Sequence, residues 1–235
     1  MLESLGWGAV AASSLVVGAV LALVRPWPGR LVGLVLGFCA GALVASVSFE
    51  LAEEGLRIGS AYAVAAGLAL GGLTYFLADR LVERWGGRSG GSSAGAPLAV
   101  GAFLDGIPEQ AVLGIGLASG QGVSAALVVA IFASNLPEAI GSAADMRSAG
   151  RSRTSVLALW AGVAACCAAA TVAGTALADA VSRDGQAFVD GFAAGALLTM
   201  LIDSMVPEAK DKAKDWAGLA TVAGFALAAG LSLLG

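Results

Sequence analysis

The chain has 235 residues, 58% of them hydrophobic and 13% charged, with a mean hydropathy of +0.85. Soluble domains carry about 25% charged residues, so this balance points away from them and toward a membrane-embedded chain. A net charge of −4 argues against a nucleic-acid partner, and the absence of histidine removes imidazole as ligand, proton shuttle or general base.

Charge-free runs cover 4–24, 31–49, 58–78, 154–178 and 216–235. Each is long enough to cross ~30 Å of hydrocarbon as a helix. The first run follows Glu3 with no basic residue before it, and reads as a spanning helix rather than a cleaved leader. Three more apolar segments carry internal acids. Together these predict an all-α membrane protein of one domain, 1–235, with eight transmembrane helices. They are expected near 4–24, 31–52, 58–80, 97–119, 122–146, 154–180, 186–209 and 216–235.

The breaks between them are short, and 86–95 is a Gly/Ser-rich flexible linker. All but two of the 13 basic residues fall in alternate loops; Arg57 and Arg183 lie on the other side. The positive-inside rule then puts both termini outside and the basic loops in the cytoplasm of a multi-pass cell-membrane protein. Trp7, Trp27, Trp85 and Trp216 fall near helix ends, as interface anchors do. Cys39, Cys166 and Cys167 lie in apolar runs without zinc-site spacing and read as packing residues. Gly33 and Gly37, and Gly67 and Gly71, have the spacing of close helix packing. They leave a homodimer open without requiring one.

Three segments share a pattern: Asp105-Gly-Ile-Pro-Glu109, Ser134-Asn-Leu-Pro-Glu138 and Ser204-Met-Val-Pro-Glu208. Carboxylates are costly inside a bilayer, so acids at that depth mark function by default. Positions four apart share a helix face, which pairs Asp105 with Glu109 and Ser134 with Glu138, with Asn135 beside them. Each proline also frees the carbonyl four residues back, at Leu104, Ala133 and Asp203. Within lipid such a carbonyl needs another partner: a cation, a hydroxyl or water.

The two middle motifs lie on antiparallel helices at similar depth, so they can meet near the midplane. Glu50, Glu53 and Glu54 fall at the outer end of the second helix. Asp203 and Glu208 fall toward the inner end of the seventh, and Asp145 toward that of the fifth. Asp145, Asp179 and Asp190 read as helix-end residues without a special role. No Lys or Arg falls in the interior of an expected span, Arg80 lying at the very end of one, so the central acids must be protonated, solvated or occupied by a cation.

These motifs resemble the ZIP family of divalent-metal transporters, in which helices 4 and 5 each carry a His-Asn-x-Pro-Glu-Gly type sequence around a midplane metal site. Pro108-Glu109 and Pro137-Glu138 match the Pro-Glu cores, and Asn135 matches the Asn of the helix 5 motif. Ser48–Gly55 is similar to the end of helix 2 in bacterial members, and Ala196–Ala209 to helix 7. The departures are specific. Asp105 and Ser134 stand where the motif histidines would be, and Gly106 replaces the helix 4 Asn. Helix 6 has no central carboxylate, which implies one metal site rather than two.

The resemblance implies a transporter, not an enzyme, that moves a divalent cation into the cytoplasm by alternating access. Asp105, Glu109, Ser134, Asn135 and Glu138 would hold the metal. Glu50, Glu53 and Glu54 would form its entrance, and Asp203 and Glu208 its exit. The metal is the cargo, and no organic cofactor is expected. An oxygen-donor set suits harder ions such as Mn²⁺ and also binds Zn²⁺. Two rivals remain at this level: a ZIP-fold protein that binds metal or regulates without transporting, and a carrier of a small organic cation. A hydrolase is disfavoured, since Ser134 has no base partner but Glu138.

Overall fold

A computed structural model describes residues 2–88, 95–118, 125–178 and 182–232, which are helical with no strand among them. The side chains of Glu50, Asp105, Ser134 and Asp145 lie outside the described residues, as do most of the 86–95 linker, the break at 119–122 and Asp179. Eight helices follow one another among the described residues. They are α1 Leu2–Val24, α2 Gly29–Ile58, α3 Ala61–Arg88 and α4 Gly95–Ala118, then α5 Ala125–Ser148, α6 Arg153–Ala178, α7 Arg183–Ala213 and α8 Trp216–Ser232. Six of them, α1, α2, α3, α5, α6 and α7, contain a segment long and apolar enough to cross a membrane. Helix α8 is a shorter apolar helix of 17 residues.

Local chemistry explains where the helices begin. Pro28 precedes α2, and its carbonyl accepts the Leu31 and Val32 amides. Ser182 caps α7 by accepting the Gly185 amide at 3.2 Å, which starts that helix before 186. Asp184, in the first turn of α7, accepts the Ser60 amide at 2.7 Å and ties that end to the α2–α3 turn. Lys214, at φ 54°, turns the chain from α7 into α8. Three helices run further than the sequence suggests. Helix α2 continues through Glu53 to Ile58, α3 to Arg88, and α7 through Lys210 and Lys212. Charged residues are good helix formers, and an extra turn lets them leave the apolar zone while keeping backbone hydrogen bonds.

Both α2 and α7 widen at the same place. In each, an 18-residue α-helical stretch leads into a π-helical segment, Val47–Ala52 in α2 and Leu201–Met205 in α7. There the Glu53 amide bonds Ser48 O and the Val206 amide bonds Leu201 O, five residues back. Pro207 follows the second segment, but no proline follows the first, so proline alone does not cause the change.

Packing repeats this correspondence. The most extensive contacts are α3 with α7, α2 with α8, α4 with α6, and α1 with α5 and α6. Exchanging α1 with α6, α2 with α7, α3 with α8 and α4 with α5 leaves that pattern unchanged. Each exchanged pair runs in opposite directions, which is the signature of an inverted repeat. Glycines set the close approaches. Gly33, Gly37 and Gly41 of α2 abut the α7–α8 turn and α8, where a Cβ on Gly41 would collide with the Thr221 carbonyl. Gly67 and Gly71 of α3 abut Phe188 and Phe192 of α7, and Gly191 and Gly195 return the contact against Val64 and Leu68. These small-residue faces are therefore used within one chain. Outward positions such as Leu70, Leu73, Leu219 and Val222 are exposed, as on helices whose surroundings are apolar.

Candidate functional site

Helices α4 and α5 carry Pro108 and Pro137 inside otherwise regular helix. The residues beside those prolines are deeply buried: Glu109 and Asn135 are each 2% exposed. The turn from Ala133 to Pro137 shows how the freed carbonyl is satisfied. Cys39 of α2 donates its thiol to the Ala133 carbonyl at 2.8 Å. Cys39 thus ties α2 to the α5 motif, and α4 and α5 are themselves in contact. The Asn135 Nδ2 has no hydrogen-bond partner, although the group is buried. A buried amide donor left without a partner costs about 1–3 kcal/mol, so it needs a counterpart from a guest, a water or a rearranged state.

Glu138 is half-buried. It lines a cavity of about 20 Å³ with Leu36, Met200, Ser204, Met205 and Glu208. That space suits one water-sized guest. The cavity joins the α5 motif to the α7 motif through Ser204 and Glu208. Asp203 is exposed and is not among the lining residues.

Glu208 is paired. Lys212, one turn on, places its Nζ 3.1 Å from the Glu208 carboxylate. Gly141 of α5 makes room for both groups. The sequence alone suggests a loop at Lys212, but the extra turn of α7 puts it in the helix, one turn from Glu208. Among the three acids at the far end of α2, Glu53 is exposed and Glu54 is bonded through both oxygens to Arg57, at 2.7 and 2.8 Å. Glu54 therefore has its counter-charge on the next turn. Asp190 of α7, read from sequence as an ordinary helix-end residue, is 6% exposed and sits against Gly55, within electrostatic reach of Glu54.

On the other side of Glu109, Gln110 is fully buried and accepts a hydrogen bond from Thr171 of α6 at 2.6 Å. Its Nε2 has no hydrogen-bond partner. Thr171 packs against Gly8 of α1, so α1, α4 and α6 converge beside the acid. Cys167 of α6 lies against Gly106, where a Cβ would touch the thiol at 2.5 Å. A side chain at 106 would therefore crowd Cys167. Cys39, Gln110, Thr171 and Asp190 escaped sequence reasoning. Only the proline four residues after Ala133 hinted that a donor such as Cys39 had to exist.

No family model matches the chain. A protein of Arabidopsis thaliana described as a "putative zinc transporter" is 30% identical over 186 residues, which cover 75% of this chain. The matched region spans 30% of that protein's length.

Proposed function

We propose that the chain is a ZIP-like membrane transporter that carries a divalent metal cation, zinc or a harder ion such as manganese, into the cytoplasm. The observation that carries the reading is the burial of Glu109 and Asn135 on α4 and α5, two contacting helices that each carry an internal proline. A buried carboxylate and a buried amide oxygen offer lone pairs that a cation can accept, and acids at that depth mark function by default. A dehydrated cation is the guest that this donor set suits, with Glu138 beside it and Asp105 and Ser134 as the remaining ligands. The description of the Arabidopsis relative supports the same class of cargo.

The path would begin near Glu50, Glu53 and Glu54 and leave past Ser204 and Glu208, with Asp203 at the margin. Both termini would face outward. Helices α1, α4, α5 and α6 pack mainly on one another, as do α2, α3, α7 and α8. Motion of the first group against the second would expose the site to each side in turn. Ion uptake into proteoliposomes is the test. Zinc or manganese should enter with wild-type protein and fail to enter with Glu109→Ala or Glu138→Ala. Undiminished uptake of every divalent ion by both variants would overturn the proposal. Saturable binding without flux would favour a metal-binding membrane protein instead.

A further inference from the structure

The bond between Cys39 and Ala133 joins the two helix groups at the carbonyl that Pro137 leaves without a helical partner. We propose that Cys39 is a positioning residue for the metal site: its thiol holds the turn bearing Asn135 and Glu138 in this conformation and releases it when α5 moves. The inference rests on the transport reading above and adds to it a specific state-dependent contact.

Three features support it. First, Pro137 has no amide N–H, so the Ala133 carbonyl has no α-helical partner and must take one from elsewhere. Second, the donor is not local. It comes from α2, which packs along α7 and α8, whereas α5 packs mainly along α1. Third, Cys39 is 1% exposed, so no water competes for the carbonyl in this conformation. Asn135 and Glu138 project from the turn closed between Ala133 and Pro137 and the residue after it. Fixing that carbonyl fixes the backbone that aims them. A thiol is a weak donor, strong enough to set a position and weak enough to break during a conformational cycle.

The experiment has two arms. In detergent, unfolding temperatures are measured for Cys39→Ser and Cys39→Ala, each alone and combined with Pro137→Ala. Serine keeps a donor and alanine does not, so serine should be the more stable in the wild-type background. With Pro137→Ala the amide of residue 137 serves the carbonyl, and the difference between serine and alanine should vanish. An equal difference in both backgrounds overturns the hydrogen-bond role.

In the second arm, zinc and manganese affinities are measured by equilibrium dialysis, with circular dichroism to establish that each variant is folded. Cys39→Ala should weaken binding about tenfold, and Cys39→Ser should stay within about twofold of wild type. Wild-type affinity in folded Cys39→Ala overturns the positioning role. So would a cobalt–thiolate charge-transfer band lost in Cys39→Ser, since Cys39 would then be a ligand. In proteoliposomes, N-ethylmaleimide modification of Cys39, read by mass spectrometry, should accelerate several-fold under an inward gradient of the transported ion, while that of the exposed Cys166 stays constant. An unchanged Cys39 rate during measurable uptake overturns the release step. If neither ion binds or enters with wild-type protein, the transport reading falls. The serine–alanine comparison then still decides whether the bond exists, so the two failures are distinguishable.

Discussion

Pro137-Glu138 in α5 and Pro207-Glu208 in α7 are the same dipeptide in two different settings. In α5 the helix stays α-helical through the proline, and a thiol from another helix takes the freed carbonyl. In α7 the chain widens to π-helix just before the proline. The acids differ as well. Glu208 is balanced by Lys212 on the next turn, whereas the α5 segment and its α4 counterpart bury Asn135 and Glu109. A motif copied three times thus yields a buried polar centre from two copies and a charge-balanced rim from the third. Depth separates them: α7 is near its basic end at Glu208, where lysine can reach the carboxylate while its stem covers apolar surface.

The widest gap between the two settings should appear in transport. Glu109→Ala or Glu138→Ala should cut divalent-cation uptake by about 100-fold. Glu208→Ala should cut it by no more than about threefold, because the acid it removes is already paired. Equal losses at all three would abolish the distinction between centre and rim. Close helix contacts rest on glycine, so Gly41→Leu on α2, set against Thr221 of α8, should destabilise the fold by about 3 kcal/mol, read by thermal unfolding in detergent. Gly116, with nothing near a Cβ, should accept alanine with no measurable loss.

A smaller effect is expected beside the centre. Thr171→Val removes the donor to Gln110 and leaves a buried acceptor unmet, at about 1–2 kcal/mol. Pairing it with Gln110→Leu should recover part of that loss, because both polar partners are then gone. The smallest effect concerns the rim pair. Its members are 26% and 37% exposed, so solvent screens the attraction, and Lys212→Met should change stability by less than about 0.5 kcal/mol. A loss of several kcal/mol there would mean that Glu208 is as dependent on its partner as a buried ion would be.

The odd chemistry of the centre was legible before any coordinates. Acids and prolines inside apolar runs can be read directly from a linear string, because hydrocarbon penalises both. Their partners could not be. Cys39 looks like a packing residue in α2, and nothing within its own segment says that it lies across from Ala133, 94 residues on. Asp190 looks like a helix-end acid, and its burial depends on α7 lying against Gly55. Lys212 looks like a loop residue until α7 runs on to Ala213.

By itself, the sequence determined the helical membrane class, most helix positions, and which residues would be anomalous in an apolar interior. Those properties follow from hydrophobicity, chain length and the missing amide of proline, all local to the chain. The tertiary structure alone decided which helices pair, the matched π-helical segments in α2 and α7, and the thiol that meets the freed Ala133 carbonyl of α5. Those depend on contacts between segments far apart in sequence, where close packing and hydrogen-bond satisfaction choose among partners that composition cannot distinguish.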